Sequence, residues 1–574
     1  MLAEERTRKL KTTAGRAIVE ILRAEGVRAV FGIPGGHVLD IYEGLHDTPE
    51  IRHVLARHEH AAAAMAAGYA QLTGEPGVAV ATAGPGATNL LTAVAEAHVG
   101  CLPMILLAGR GLTTTAQRGA SQEVPTDRVF APVTKWSVRV DRAEVVPEVM
   151  RQAFAVSRGG RPGPVYIDLP RDVLGETVEF TYLPVGAPAR PPADPAQVHE
   201  LVDRLMAAER PILIAGGGTT MAGAHAELRE LAELVGAPVL TSLSGRGTLP
   251  DDHPLAAGGL GAHRNRLSKR LLAEADVVVG LGTRFEEMET NWQPGRVPSP
   301  EAFYAQVDIE PAELGRSIPT HLGVVGDVRA VLRQAIELVR ERRAAPLPDT
   351  ISADVAALDA DIAAVAADAS SPVHPLTAIR AVQAVFPRDS TVAFDVGVLA
   401  QQIAGGFPFF RVYEPRSLIV PSSFYGMGFA AAALPVAKVV RPDHPAVGFV
   451  GDGSFQMVMQ ILPVAAEHGL AVTWVVLNDH ALGSIRDIQE LRFDGRMIGT
   501  DFTLQPDLAA IAEACGCHGE RVESSDDVHG ALERALEANR AGRPALVDVL
   551  VAPERLNQTR EHYAYYPQDP EARI

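Results

Sequence analysis

The stretch "GDGSFQM" at 451–457 follows the apolar run "AVGFV" and leads into a helix-like segment that ends at a second apolar run, "AVTWVVLND". Asp452 and Asp479 therefore stand at the ends of what read as two consecutive strands of one sheet. In an open parallel sheet, ligands bind beyond the carboxyl ends of the strands, where glycines admit close approach and helix N-termini face anions. Gly453 and Ser454 open such a helix, and one helix plus one strand returns the chain from Asp452 to Asn478 and Asp479. Two oxygen donors at adjacent strand ends, beside a helix start, make a seat for a hard divalent cation that carries a diphosphate. A lone "GDG" is equally compatible with a plain strand-to-helix turn.

The elements that would position these residues follow one pattern along the chain. Short apolar strands alternate with Ala-rich amphipathic helices, which predicts α/β architecture with doubly wound parallel sheets. The pattern falls into three blocks, and the 574 residues are too many for one core. The first domain is expected at 1–182, with strands "AVFGI", "GVAVATAG", "PMILLAG" and "PVYIDLP"; the Pro- and Ala-rich stretch 183–196 reads as a linker. The second, 196–340, carries "PILIAGGG", "APVLTSL", "ADVVVGLG" and "AFYAQVDI". The third, 372–552, carries "TVAFDVG", "AVGFVGDG", "AVTWVVLND" and "PALVDVLV".

Composition excludes several function classes. Hydrophobic residues make up 47% and charged ones 21%, so large cores are expected throughout. A net charge of −18 argues against nucleic-acid and anionic-membrane partners, which require concentrated Lys and Arg. Three cysteines give no disulfide framework, and "CGCH" at 515–518 reads as a helix-to-strand turn rather than a metal site. The charged start "MLAEERTRKLK" lacks a signal-peptide h-region, and no apolar run reaches the roughly 18 to 20 residues of a bilayer span. A reducing, cytoplasmic setting is expected.

A second motif bears on the first. "ARHEHAAAAMAAGYA" at 56–70 is an Ala-rich helix with Glu59 in its first turn, where a carboxylate ordinarily does no more than suit the helix dipole. Gly451-Asp452-Gly453 with Asn478-Asp479, taken with Glu59 in this context, resembles the thiamine-diphosphate-dependent enzymes. That resemblance implies Mg²⁺ held by Asp452, Asp479 and the carbonyl of Ala481. It implies a Glu59 that hydrogen-bonds the cofactor's pyrimidine ring and promotes the imino tautomer, with Ala61 to Met65 as its apolar shelter. Asp479 stands where the family more often has Asn, which adds one negative charge to the metal seat.

The resemblance covers nearly the whole chain and narrows to the acetolactate-synthase-like branch. "VFGIPGGHVLDIYEGL", with Gly35 and Gly36, looks like its glycine turn, and "ATAGPGATNLLTAVAEA", with Gly86 and Asn89, like its Gly-rich loop and following helix. "SQEV" and "APVTKWSVRV" resemble the substrate-channel segment and imply substrate contacts for Gln122 and Lys135. "FDVG", ending at Gly397, and "SFYGMGFAAAALPVA", with Met427 as the bulky support of a bent cofactor, match the cofactor domain. Gly453 and Ser454 would anchor the diphosphate. The three blocks then become pyrimidine-binding, central and diphosphate-binding domains.

Departures from the branch bear on the substrate. Ser121, Met288 and Ile488 replace a Phe, an Arg and a Trp that shape the pocket, and His37 stands where the synthases have a small residue. Carboligases of the benzaldehyde-lyase type have a His there, which gives His37 a catalytic or proton-relay reading beside that of a capping residue. The implied reaction is decarboxylation of a pyruvate-like 2-oxo acid, with carboligation to a second carbonyl. A decarboxylase or carboligase of other substrates, a pyruvate-oxidase-like flavoenzyme and a non-catalytic nucleotide-binding protein are the alternatives. "LIAGGGTTMAG" with Arg284 admits either FAD or a tight turn without ligand. A homodimer or homotetramer is implied, because the family seats each cofactor between the first and third domains of different subunits. The sequence does not disclose a regulatory subunit. The tail from Pro553 reads as either a closing segment or an exposed end.

Overall fold

The computed structural model describes residues 9–261, 264–290, 292, 297–342, 351–367 and 371–553; the tail beyond Pro553 lies outside them. The chain forms two compact units. One comprises Met1–Ala189, Phe424–Pro442 and Val458–Leu470, and the other Arg190–Ser423, Asp443–Met457 and Ala471–Ile574.

The first unit holds a parallel sheet of six strands in the spatial order Arg52–Leu55, Ala29–Gly32, Gly77–Ala81, Met104–Arg110, Pro164–Pro170, Trp136–Arg139. Its central strands are Val, Ile, Leu and Ala runs buried on both faces, as parallel strands covered by crossover helices must be. The second unit holds two more parallel six-stranded sheets. One runs Ala256–Gly259, Val239–Thr241, Pro211–Ala215, Val277–Leu281, Phe303–Asp308, Leu322–Val325. The other runs Leu418–Ile419, Thr391–Phe394, Ala446–Gly451, Thr473–Asn478, Ala545–Leu550, His518–Val522. This is the α/β, doubly wound architecture that the alternating pattern predicts.

In each sheet the first strand leads outward on one side, and the chain later resumes on its other side, at the third strand of the first and last sheets and at the fourth strand of the middle one. The strand order therefore reverses between Ala29–Gly32 and Gly77–Ala81, between Pro211–Ala215 and Val277–Leu281, and between Thr391–Phe394 and Ala446–Gly451. At such a reversal the crossover helices diverge to opposite faces and leave a crevice at the carboxyl ends. The loops that border the first crevice are 33–38 and 82–84; those that border the third are 395–397 and the turn at Asp452.

Helix Glu59–Thr73 packs against the first sheet and is buried almost all round, with every alanine from Ala61 to Ala67 or its Met65 neighbour at 0% exposure. Small side chains on every face permit this. Helix Phe429–Ala433 packs on it within the same unit, so closely that a Cβ on Gly68 would lie 3.1 Å from both Ala433 and Val436. The helix ends at Gly74, whose φ of 77° is the left-handed cap that glycine adopts without strain. The "CGCH" run is a turn between helix Leu508–Ala514 and strand His518–Val522, with Gly516 at φ 86°. No disulfide joins Cys101, Cys515 and Cys517.

Candidate active site at two sheet edges

The first crevice gathers Glu59, Asn89, His37 and the glycines of both loops. Glu59 begins its helix after strand Arg52–Leu55 and is 9% exposed, and its Oε2 accepts a hydrogen bond from Asn89 Nδ2 at 2.9 Å. Gly86 sits between Thr82 and Glu59: a Cβ there would stand 2.7 Å from Thr82 Cγ2 and 3.3 Å from Glu59 Oε1. A Cβ on Gly35 would likewise stand 2.5 Å from Thr82 Cβ, whereas a Cβ on Gly36 would meet open space. His37 Nδ1 lies 3.3 Å from Thr82 Oγ1. Burial, and then the charge of Arg171, lowers the His37 pKa, so the imidazole is neutral near pH 7.

Gln122 joins this group and Lys135 does not. Gln122 is exposed, in left-handed backbone at φ 62°, with its main chain against Gly84. Lys135 precedes strand Trp136–Arg139 instead of following it, and its N–H pairs with Pro164 O at the opposite, amino-terminal edge of the sheet. Its Nζ donates to Val156 O at 2.5 Å and Gly159 O at 2.6 Å, capping helix Val146–Arg158. Within this chain the Lys135 charge serves helix carbonyls, where a cation also suits the dipole, and lies apart from the group around Gln122.

Two further residues of this unit are not singled out by the sequence motifs. Glu96, on helix Leu91–Val99, is 1% exposed and accepts the Gly426 N–H at 3.0 Å, which ties down the loop that carries Met427. Tyr42 has a buried hydroxyl with no hydrogen-bond partner among the described residues, and its pKa is raised by burial and then by the charge of Glu59. A buried glutamate inside the apolar run "LTAVAEA" was the available signal for Glu96.

In the second unit, the third sheet carries the acidic pair. Asp452 is 1% exposed at the start of the short helix Asp452–Gln456, and Gln505 Nε2 donates to its Oδ2. Burial, and then the charge of Asp479, raises its pKa to about 7. Asp479 follows strand Thr473–Asn478, its side chain 4% exposed, and accepts from Arg486 Nη2 at 2.9 Å.

The intervening turn is shaped by Asn478. Its Nδ2 donates to the fully buried Asp548 at 2.9 Å, and its Oδ1 accepts the His480 N–H at 3.2 Å. Ala481 pairs with Asp501 in an antiparallel bridge just beyond. Asp548 is thus a further residue outside the motifs, detectable only as a carboxylate inside the strand "ALVDVL". A Cβ on Gly453 would lie 2.8 Å from Leu482, and Ser454 is buried beside it. Around Gly397 and Gly451 a Cβ would meet nothing within 4 Å, so this edge has open room.

These residues fit a metal-bound diphosphate: two buried carboxylates that repel one another, an adjoining backbone carbonyl and an open glycine-lined edge. The middle sheet differs at the same topological position. A Cβ on Gly216 would lie 2.2 Å from Gly282 O, and one on Gly218 2.8 Å from Gly282 Cα. These glycines are taken up by packing between the turn and helix start after Ala215 and the turn after Leu281. Arg284 pairs with Glu286, and the neighbouring Glu289 is held protonated, its pKa pushed up to about 8 by burial and then by Glu286. Ile488 packs against the core of the third sheet.

Comparison with known proteins gives three matches along the chain. Residues 12–129 match the thiamine pyrophosphate enzyme N-terminal TPP binding domain, 198–335 the central domain and 399–549 the C-terminal TPP binding domain. A probable acetolactate synthase large subunit from Methanocaldococcus jannaschii is 33% identical over 557 residues, covering 94% of this chain and 91% of the relative. An acetolactate synthase from Mycobacterium bovis is 35% identical over 559 residues, covering 94% and 88%. The acetolactate synthase isozyme 3 large subunit of Escherichia coli is 34% identical over 543 residues, covering 93% and 94%.

Proposed function

Because the chain belongs to the thiamine pyrophosphate enzymes, among the relatives of acetolactate synthase large subunits, we propose that it decarboxylates a pyruvate-like 2-oxo acid and joins the remaining acyl fragment to a second carbonyl compound. The observation that carries this reading is Glu59, a buried carboxylate fixed by Asn89 at the switch-point crevice of its sheet. A binding module would have no use for it. Bound there, thiamine diphosphate supplies the electron sink for loss of CO₂.

This chain's residues would do the rest. Glu59 holds or takes the proton that activates the pyrimidine ring, and Asn89 orients its carboxylate. Asp452, Asp479 and the Ala481 carbonyl hold Mg²⁺, while Gly453 and Ser454 bring main-chain N–H groups to the diphosphate. Gly35, Gly36 and Gly86 keep the crevice clear, Gly397 leaves room at the other edge, and Met427 supports the cofactor from a loop anchored by Glu96. Gln122 meets the entering substrate. The 1–182, 196–340 and 372–552 blocks act as the pyrimidine-binding, central and diphosphate-binding domains of a homodimer or homotetramer. The relatives' designation as large subunits supports a smaller partner chain as well.

FAD does not fit the middle sheet, whose glycines are filled by their own backbone and whose Arg284 is neutralised by Glu286. An acceptor other than a 2-oxo acid is favoured by one observation, the neutral His37 beside Thr82, whose ring N–H is suited to orienting an aldehyde oxygen by a hydrogen bond. Incubation with pyruvate, thiamine diphosphate and Mg²⁺, followed by product identification, tests the reading. Acetolactate is the expected product; acetaldehyde alone points to a simple decarboxylase, cross-products with added aldehyde to the His37 alternative, and no turnover of any 2-oxo acid rejects both.

A further inference from the structure

The segment 111–125, which carries Gln122, has no strand and only one short helical turn, Thr113–Thr115. It is nevertheless pinned at three places by carboxylates. At its base Arg110 Nη1 reaches Asp168 at 2.5 Å and Asp127 at 3.3 Å, so the two ends of the segment share one guanidinium. At its shoulder the Thr113 N–H and hydroxyl both donate to Asp172, at 3.1 and 2.5 Å. Its tip is closed by its own side chain. Glu123 accepts the Gln117 N–H at 2.5 Å and the Ala120 N–H at 3.2 Å. Hydrogen bonds from these amides and from that of Gly119 hold the Glu123 carboxyl below the usual range.

The tip needs such a tie. Gln117, Gly119 and Gln122 lie at φ 63°, 71° and 62°, a region that non-glycine side chains enter only when the surroundings hold them there. The held conformation has a definite seat. A Cβ on Gly84 would fall 2.6 Å from Gln122 O and 2.9 Å from Gln122 Cβ, and Gly84 leads directly into Pro85–Asn89, the turn whose Asn89 fixes Glu59.

We propose that Glu123 is a positioning residue of the reaction: by gathering the amides of the tip it keeps Gln122 seated on Gly84 at the mouth of the Glu59 crevice. It touches no reacting atom and acts only through Gln122. The inference rests on the reading of Gln122 as the substrate contact, and the two are separable by experiment.

The test is a double-mutant cycle on the holoenzyme with thiamine diphosphate, Mg²⁺ and pyruvate, with kcat and KM measured for wild type, Gln122→Ala, Glu123→Ala, Glu123→Gln and the double alanine variant. Gln122→Ala is expected to raise KM about tenfold, and Glu123→Ala to match it, with the calorimetric affinity for thiamine diphosphate unchanged. Glu123→Gln, which keeps one acceptor oxygen, recovers part of the loss. The double variant is no worse than either single one, because both remove the same contact. Losses that multiply in the double variant, or an unchanged KM in both Glu123 variants, overturn the positioning role while leaving Gln122 in place. An unchanged KM and kcat in Gln122→Ala overturns the substrate contact and the positioning role together.

Discussion

In the proposed reaction Glu59 and the Asp452–Asp479 pair divide the chemistry at the residue scale, and each should fail in its own way when altered. Glu59→Gln keeps the shape and the bond to Asn89 but removes the transferable proton, so kcat should fall by about 10² to 10⁴ while calorimetry still records thiamine diphosphate binding. Gly86→Ala is a geometric counterpart. Its methyl would press within 3.3 Å of Glu59 Oε1 and 2.7 Å of Thr82 Cγ2, so it should depress turnover without touching the metal; wild-type activity would show that the crevice wall has slack. In the other half, chelation should abolish turnover and added Mg²⁺ restore it. Asp479→Asn withdraws one of two anionic donors, so the half-activating Mg²⁺ concentration should rise about tenfold. An unchanged titration would show that the extra charge of Asp479 does not strengthen the metal seat.

Elements place these side chains, and stability enters at this scale. Strand Arg52–Leu55, which delivers Glu59, carries His53, whose ring stands edge-on to Tyr42 with centroids 5.0 Å apart. Burial, and then the charge of His468, lowers the His53 pKa to about 4. An unfolded histidine titrates near ~6.5, so between these values the unfolded chain binds the extra proton and stability falls as pH drops, by on the order of 3 kcal/mol once below both. His60 is lowered to about 4 in the same way, again chiefly by burial. His53→Phe keeps the ring and abolishes the titration. It should narrow the difference between melting temperatures at neutral and mildly acidic pH, and an unchanged difference would assign the acid sensitivity elsewhere. The motifs located Glu59, Asp452 and Asp479 because each is local to one strand end. They did not disclose Glu96 or Asp548, whose partners Gly426 and Asn478 are remote in sequence.

The whole molecule repeats one architecture three times and keeps two of the three crevices open. Gly36, Gly397 and Gly451 border free space, whereas Gly216, Gly218 and Gly282 are packed on one another. A visible-absorption spectrum of the purified protein should accordingly lack a flavin band, and a stoichiometric one would show that the middle crevice rearranges. Among the described residues no helix is long and apolar enough to cross a membrane. If each cofactor lies between subunits, specific activity should fall on dilution while the circular dichroism of the fold persists, and concentration-independent activity would contradict the subunit-shared site.

By itself the sequence determined the class of architecture and the candidate groups at the strand ends, since strand period, helix period and strand-end carboxylates are properties of contiguous residues. Tertiary structure decided which strand ends became neighbours. Parallel strands are joined through helices, so the loops after Gly32 and Ala81 meet only because the strand order reverses between them. The same cause sets Lys135 apart from Gln122 in this chain: it enters its strand where Gln122 lies beyond the end of another, and a sheet's two edges are separated by the full length of its strands.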